Sequence, residues 1–179
     1  IAANVVISAR HCGTDAGGAV NFGEDSNNPI FTATVESSIL PDGNGTLLDG
    51  GDVAILILTG DVPETVATPM RFIDATDDLV GQTTALIGYG LNGVGSVGHQ
   101  GSSDGLRWGG ENVIDEYGVP AGASGANIIS TDFDDGSAAA NTIPGSDPTP
   151  LEFEATTAPG DSGGTKANLE KLNHKVTLA

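Results

Sequence analysis

The chain has 179 residues, of which 24 are acidic and only 6 are Lys or Arg, giving a formal charge of −18. Such a balance repels phosphate backbones and anionic lipid, which excludes nucleic acid and charged membrane surfaces as partners. No apolar run approaches the ~18 residues of a spanning helix, and a single cysteine, Cys12, excludes an intrachain disulfide. The length fits one large domain or two small ones. The first residue is Ile1 and the sole methionine is Met70, so the chain is expected to be a piece of a longer precursor, with any signal peptide out of view. Strong acidity is also a mark of disorder, but the β-branched apolar runs argue against that for most of the chain.

In chain order, residues 3–9 read as a buried strand leading to His11, and residues 14–29 as a Gly/Asn/Asp-rich loop. Residues 30–40 alternate in the manner of a strand exposed on one face. Pro41-Asp42-Gly43-Asn44-Gly45 is a turn cluster, and residues 52–58 form a short continuous apolar run, as in a strand covered on both faces. A loop over 63–69, a brief strand over 70–73 and a connection over 74–78 follow. Residues 82–89 read as a strand, 91–105 as a long Gly/Ser loop, 106–115 and 126–133 as strands, 134–150 as a loop, and 151–156 as an alternating strand. No convincing long helix precedes residue 165. Short strands separated by Gly- and Pro-rich turns imply an all-β barrel or sandwich.

One stretch organises the rest: Ala158-Pro159-Gly160-Asp161-Ser162-Gly163-Gly164. Glycines around a serine allow a tight turn with a hydroxyl at its apex and amides converging on one point, and donors aimed at a developing oxyanion are a large catalytic contribution. A serine needs a base to take its proton. Ile7-Ser8-Ala9-Arg10-His11-Cys12 offers an imidazole after an apolar run. Gly51-Asp52-Val53-Ala54-Ile55-Leu56 offers a carboxylate at the mouth of another. The other histidines, His99 in a Gly/Ser loop and His174 near the end, have no apolar strand to aim them.

With Ala-Arg-His-Cys, Asp-Val-Ala-Ile-Leu and Gly-Asp-Ser-Gly-Gly in this order, the chain resembles the chymotrypsin-like (trypsin-fold) serine proteases, and Gly88-Tyr89-Gly90 is similar to the family's Gly-Trp-Gly strand end. The resemblance runs from about Ile1 to Gly164. It implies a bacterial secreted member cut short at both ends, acting outside the cell or at its surface on protein or peptide substrates. It implies two antiparallel β-barrels with the active site in the cleft between them. Residues 1–75 would be the remainder of the first barrel, carrying His11 and Asp52. Residues 76–165 would be an incomplete second barrel, carrying Ser162, followed by an atypical tail at 166–179. The implied roles are Ser162 as nucleophile, His11 as general base, Asp52 as its orienting partner, and the backbone amides of Gly160 and Ser162 as oxyanion hole. Thr156, at the base of the implied specificity pocket, argues against cleavage after Lys or Arg.

The chain departs from the family in several places. Only ten residues precede His11, and the residues after Gly164 carry 3 of the 6 Lys and Arg, with Leu169, Leu172 and Val176 at helical spacing. In the family a cysteine beside the histidine often pairs with one in the preceding strand; here Cys12 is expected to be a small buried apolar residue instead. The family's counterpart of Asp161 pairs with a new N-terminal ammonium, and Ile1 is too close to His11 to supply it, so Asp161 is expected to lack its partner. These losses imply that the chain by itself is weakly active or inactive. No cofactor is expected, although Asp42-Gly43-Asn44-Gly45 and Asp132-Phe133-Asp134-Asp135-Gly136 cluster oxygens of the kind calcium prefers. The leading reading is a serine endopeptidase. The alternatives are a catalytically inactive relative serving as a binding module, and an acidic, calcium-dependent extracellular adhesion domain.

Overall fold

A computed structural model of the chain describes residues 2–13, 15–42, 45–46, 51–70, 78–118, 128–164 and 166–168. Among these, all regular structure is β-strand apart from a single 3-10 turn at Arg10–Cys12. The strands in chain order are β1 (Val5–Ser8), β2 (Ala19–Phe22), β3 (Phe31–Ile39), β4 (Ala54–Leu58), β5 (Thr83–Gly88) and β6 (Gly93–Val94). They continue with β7 (Gly98–His99), β8 (Trp108–Val113), β9 (Glu116–Gly118), β10 (Ile128–Ser130) and β11 (Lys166–Asn168). No helix among the described residues is long and apolar enough to cross a membrane.

The first four strands form one antiparallel sheet in the order β1-β4-β3-β2. Its core follows from the alternation of β4. Ala54, Leu56 and Leu58 are buried and pack with Ala33 and Val35 of β3 and with Val62, while Ile55 and Ile57 point to the half-covered face. The β4 run thus turns one face fully inward rather than both. Glu36 is an extra residue between Val35, opposite Leu58, and Ser37, opposite Ile57, and a bulge of this kind bends and twists its strand. Phe22 and Phe31 face each other across β2 and β3 with ring centroids 5.9 Å apart and planes tilted by 54°, a favourable cross-strand aromatic pair.

The later strands form smaller sheets: β11-β5-β8, the hairpin β6-β7, and the pair β9-β10. Several of these elements were not expected. β2 lies inside the Gly-rich 14–29 stretch, where four residues are too few to show periodicity; it is fixed by pairing with β3. The 91–105 loop contains β6 and β7. Residues 151–156 are not a strand, because the Glu154 carboxylate accepts the Leu151 amide at 2.9 Å and closes a turn. Only a parallel bridge from Glu154 to Glu111 remains. The expected strand over 70–73 and connection over 74–78 fall almost wholly outside the described residues, as do Leu169, Leu172, Val176 and His174. The three described residues of the 166–179 stretch form β11, antiparallel to β5.

The early and late parts of the chain are stitched together by backbone bonds. Ser26 N donates to Gly105 O at 2.7 Å and Arg107 N to Glu24 O at 2.8 Å. The Arg107 guanidinium meets Glu24 at 3.3 Å, and the Tyr89 hydroxyl donates to the Gly23 carbonyl.

Leu58, at 1 % exposure, is the most deeply packed large side chain of the first sheet, whereas Ile39 on the same sheet is 57 % exposed. Leu58→Ala is expected to cost about 2–5 kcal/mol of unfolding free energy, and Ile39→Ala no more than about 0.5 kcal/mol. Urea melts of both variants check this ordering.

Candidate active site

The position of His11 follows from the β1–β4 register. Val5 pairs with Ile57 and Ser8 with Ala54, so continuing the antiparallel count brings residue 10 opposite Asp52. The chain then tightens into the 3-10 turn Arg10–Cys12, which turns the imidazole back toward that carboxylate. Asp52 accepts two hydrogen bonds from the same residue: the His11 amide reaches Oδ1 at 3.0 Å, and His11 Nδ1 reaches Oδ2 at 2.7 Å. With Nδ1 donating, the neutral imidazole carries its lone pair on Nε2. The His11 side chain is 55 % exposed and that of Asp52 only 13 %. The imidazole is therefore open to solvent while its partner is shielded. The His11 side-chain hydrogen bond, followed by the His11 amide bond, holds the Asp52 carboxyl below its ordinary value of 3.8.

The serine turn is built from the other side. Asp161 is not without partners: its Oδ1 accepts the Gly90 amide at 2.8 Å and its Oδ2 the Ala158 amide at 2.9 Å. Two backbone donors thus hold the carboxylate in this structure. The carboxylate fits only because Gly88 has no side chain; a Cβ there would lie 1.9 Å from Asp161 Oδ1. Asp161 N→Ala158 O (3.0 Å), Gly164 N→Asp161 O (2.9 Å) and Leu91 N→Pro159 O (2.9 Å) complete the turn. Gly163 has φ +86°, in the left-handed region, and a Cβ there would lie 2.8 Å from Ser8 Oγ and 3.0 Å from the Ala9 amide. The turn therefore rests directly on the end of β1.

His11, Asp52 and Ser162 line one cleft of about 390 Å³, which Ser8 and Gly163 also line. Cys12 is exposed rather than buried, and its Sγ donates to the Ser162 carbonyl at 3.4 Å. Its place was set by the turn after β1, which leaves no core position for it. Among the described residues, neither the Gly160 nor the Ser162 amide donates a hydrogen bond within the chain. Thr156 lines an adjoining cleft, also about 390 Å³, together with Trp108, Gly90 and Asp161. The two clefts share Thr157, Asp161 and Gly164. His99 sits exposed on β7 and lines neither cleft, although Gly93, its partner on β6, lines the one with Thr156. The seat of Asp161 on Gly90 was missed from sequence; the Gly88-Tyr89-Gly90 string was its signal, but nothing in the sequence tied it to a residue 71 positions away.

No protein-family model matches the chain, and no curated protein matches it. Solved structures do. Neuropsin, a serine protease expressed in the limbic system of mouse brain, matches with a TM-score of 0.64 at 19 % identity, over 94 % of this chain and 69 % of its own. A Glu endopeptidase, solved in complex with MPD, matches with a TM-score of 0.58 at 18 % identity, over 95 % of this chain and 66 % of its own. The chain spans about two thirds of each. These likenesses show the fold: an antiparallel β architecture of the trypsin-like type.

Two outcomes test this geometry. The Asp52 carboxyl, followed by its ¹³C shift, is expected to titrate below 3.8 and to return toward that value in His11→Ala. Because the folded value is depressed, its contribution to stability is present above the ordinary carboxylate range and is lost as pH falls through the folded value. Gly163→Ala forces a side chain into the left-handed region against Ser8. It is expected to lower stability by about 1–3 kcal/mol, whereas Gly60→Ala, which meets nothing within 4 Å, is expected to stay within about 1 kcal/mol.

Proposed function

We propose that this chain is a serine endopeptidase, or the part of one that carries its catalytic residues, and that it hydrolyses peptide bonds through an acyl-enzyme. The observation that carries this reading is the double hydrogen bond from His11 to Asp52 at the edge of the cleft that Ser162 also lines. In this reading Ser162 Oγ attacks the scissile carbonyl carbon as its proton passes to His11 Nε2. Asp52 keeps the proton on Nδ1 and stabilises the imidazolium that forms. The carbonyl oxygen, now negative, takes hydrogen bonds from the Gly160 and Ser162 amides. The tetrahedral species collapses, the C–N bond breaks, and His11 returns the proton to the leaving amine. Water then enters with His11 again as base, and the ester to Ser162 is hydrolysed to a carboxylic acid and free serine.

The substrate in this reading is a protein or peptide, with no part for nucleic acid at a charge of −18. Thr156 gives the adjoining cleft an uncharged hydroxyl, which disfavours a Lys or Arg side chain there. Residues 1–75 act as the first barrel and 76–165 as the second. A place of work outside the cell or at its surface belongs to the same reading.

A biotinylated fluorophosphonate tests the mechanism. It is expected to label Ser162, and the rate of labelling is expected to fall by about 10²–10⁴-fold in His11→Ala. Labelling elsewhere, or at a rate indifferent to His11, contradicts the assignment. Turnover of a mixed fluorogenic peptide library, with Ser162→Ala as the blank, separates a peptidase from an inactive relative that merely binds in the same cleft.

A further inference from the structure

Away from the serine, a group of carboxylates is buried where water cannot easily neutralise it. Asp132 and Asp134 follow β10 two residues apart, and each is only 6 % exposed. Asp132 is held firmly by one oxygen: Oδ2 accepts the amides of Thr142 at 2.5 Å and Ile143 at 2.8 Å, and the Thr142 hydroxyl at 3.3 Å. Its other oxygen, Oδ1, is buried with no hydrogen-bond partner. Glu154 repeats the pattern, with Oε2 accepting the Leu151 amide at 2.9 Å and Oε1 buried and unpartnered. Asp134 Oδ1 is likewise buried and unpartnered. Asp115 stands beside them, its Oδ2 accepting the Asp132 amide at 3.1 Å.

The group is assembled by a neutral clamp. Asn112, 1 % exposed, donates from Nδ2 to the carbonyls of Asp132 (2.7 Å) and Ala155 (2.8 Å), which joins the segment bearing Asp132 and Asp134 to the one bearing Glu154. Neither of the two ion pairs among the described residues reaches the group. Burial first, and then the charges of the neighbouring carboxylates, push the Asp115 and Asp134 carboxyls up. For Glu154 burial likewise acts first to push the carboxyl up, and Asp134 and Asp115 add to it. Burial acts in the same sense on Asp132, but the Ile143 and Thr142 amides outweigh it and hold that carboxyl down. Ionised carboxylates in such a place are costly unless a counter-charge joins them.

We propose that this corner binds one divalent hard cation of the calcium class, with Asp132 and Asp134 as its direct carboxylate ligands. Among the described residues no three acidic, histidine or cysteine side chains already form a ligand set. The rest of the shell therefore comes from backbone carbonyls and water, which calcium accepts freely in a sphere of 6–8 oxygens. Glu154 and Asp115 supply further negative charge around it. Glu154 lies eight residues before Ser162, so the bound ion steadies the segment that enters the serine turn. The other calcium candidate, at Asp42-Gly43-Asn44-Gly45, has residues 43 and 44 outside the described residues.

The test uses the whole 179-residue chain, stripped with EDTA, at physiological ionic strength. Equilibrium dialysis with ⁴⁵Ca²⁺ is expected to give one saturable site. At about 100 times the dissociation constant, calcium is expected to raise the melting temperature by about 5–10 °C, and ionic-strength-matched NaCl is not. Asp134→Asn, which breaks no hydrogen bond, is expected to abolish both saturable binding and the shift; Asp132→Asn is expected to do the same if it folds, and Asp61→Asn to leave both intact. Absence of saturable binding overturns the proposal, and so does a shift that NaCl reproduces or that persists in Asp134→Asn. A wild-type chain indifferent to calcium but stabilised in EDTA by Asp134→Asn also overturns it, and assigns the group to protons instead.

Discussion

The Asp52 carboxylate ties together the ends of two neighbouring strands, and the candidate site depends on it. Strand pairing can bring β1 and β4 to within about 4.8 Å, but it does not aim a side chain. His11 sits on a three-residue turn with most of its ring in solvent, where the imidazole would rotate freely. Two hydrogen bonds to one shielded carboxylate, from the amide and from Nδ1, fix both the turn and the tautomer. Shielding matters because a hydrogen bond is electrostatically stronger when water is kept from it.

The serine side has its own anchor, of the same chemical kind. Asp161 buries its carboxylate against a strand end bare of side chains and takes two amides there. Gly163 then lets the turn lean on Ser8 and Ala9. Each half of the site thus hangs on a carboxylate with two donors, both amides for Asp161 and one amide and one ring nitrogen for Asp52, and the two halves meet where β1 ends. Ties between residues 24–27 and 104–107, two of them backbone bonds and one from the Asn27 side chain, also join the early and late parts of the chain. The Tyr89 hydroxyl adds a bond to the neighbouring Gly23 carbonyl.

Much of this was legible in the sequence because it rests on local patterns. The apolar run of β4, the apolar run before His11 and the glycines around Ser162 each carry their meaning within a few residues, although the one-sided burial of β4 appears only in the structure. What was not legible depends on distant partners. The amides that hold Asp161 come from Ala158 and from Gly90, and only the structure joins the second to the serine turn. Cys12 reads as apolar, yet the turn after β1 carries it outward. The alternating 151–156 stretch reads as a strand, yet Glu154 folds back on Leu151. The Asp-rich run at 132–136 was visible as a cluster of oxygens. Its burial was not, because that depends on Asn112 clamping two segments that sequence keeps apart.

The most direct measurement is a crystal structure of the chain with a peptide boronic acid, which mimics the tetrahedral intermediate. The account predicts a covalent bond from boron to Ser162 Oγ. One boronate oxygen should lie about 2.7–3.1 Å from the amides of both Gly160 and Ser162, and another should face His11 Nε2. The His11–Asp52 hydrogen bonds should be retained. A boronate bound elsewhere, or attached to Ser162 with its oxygen turned away from both amides, would contradict it.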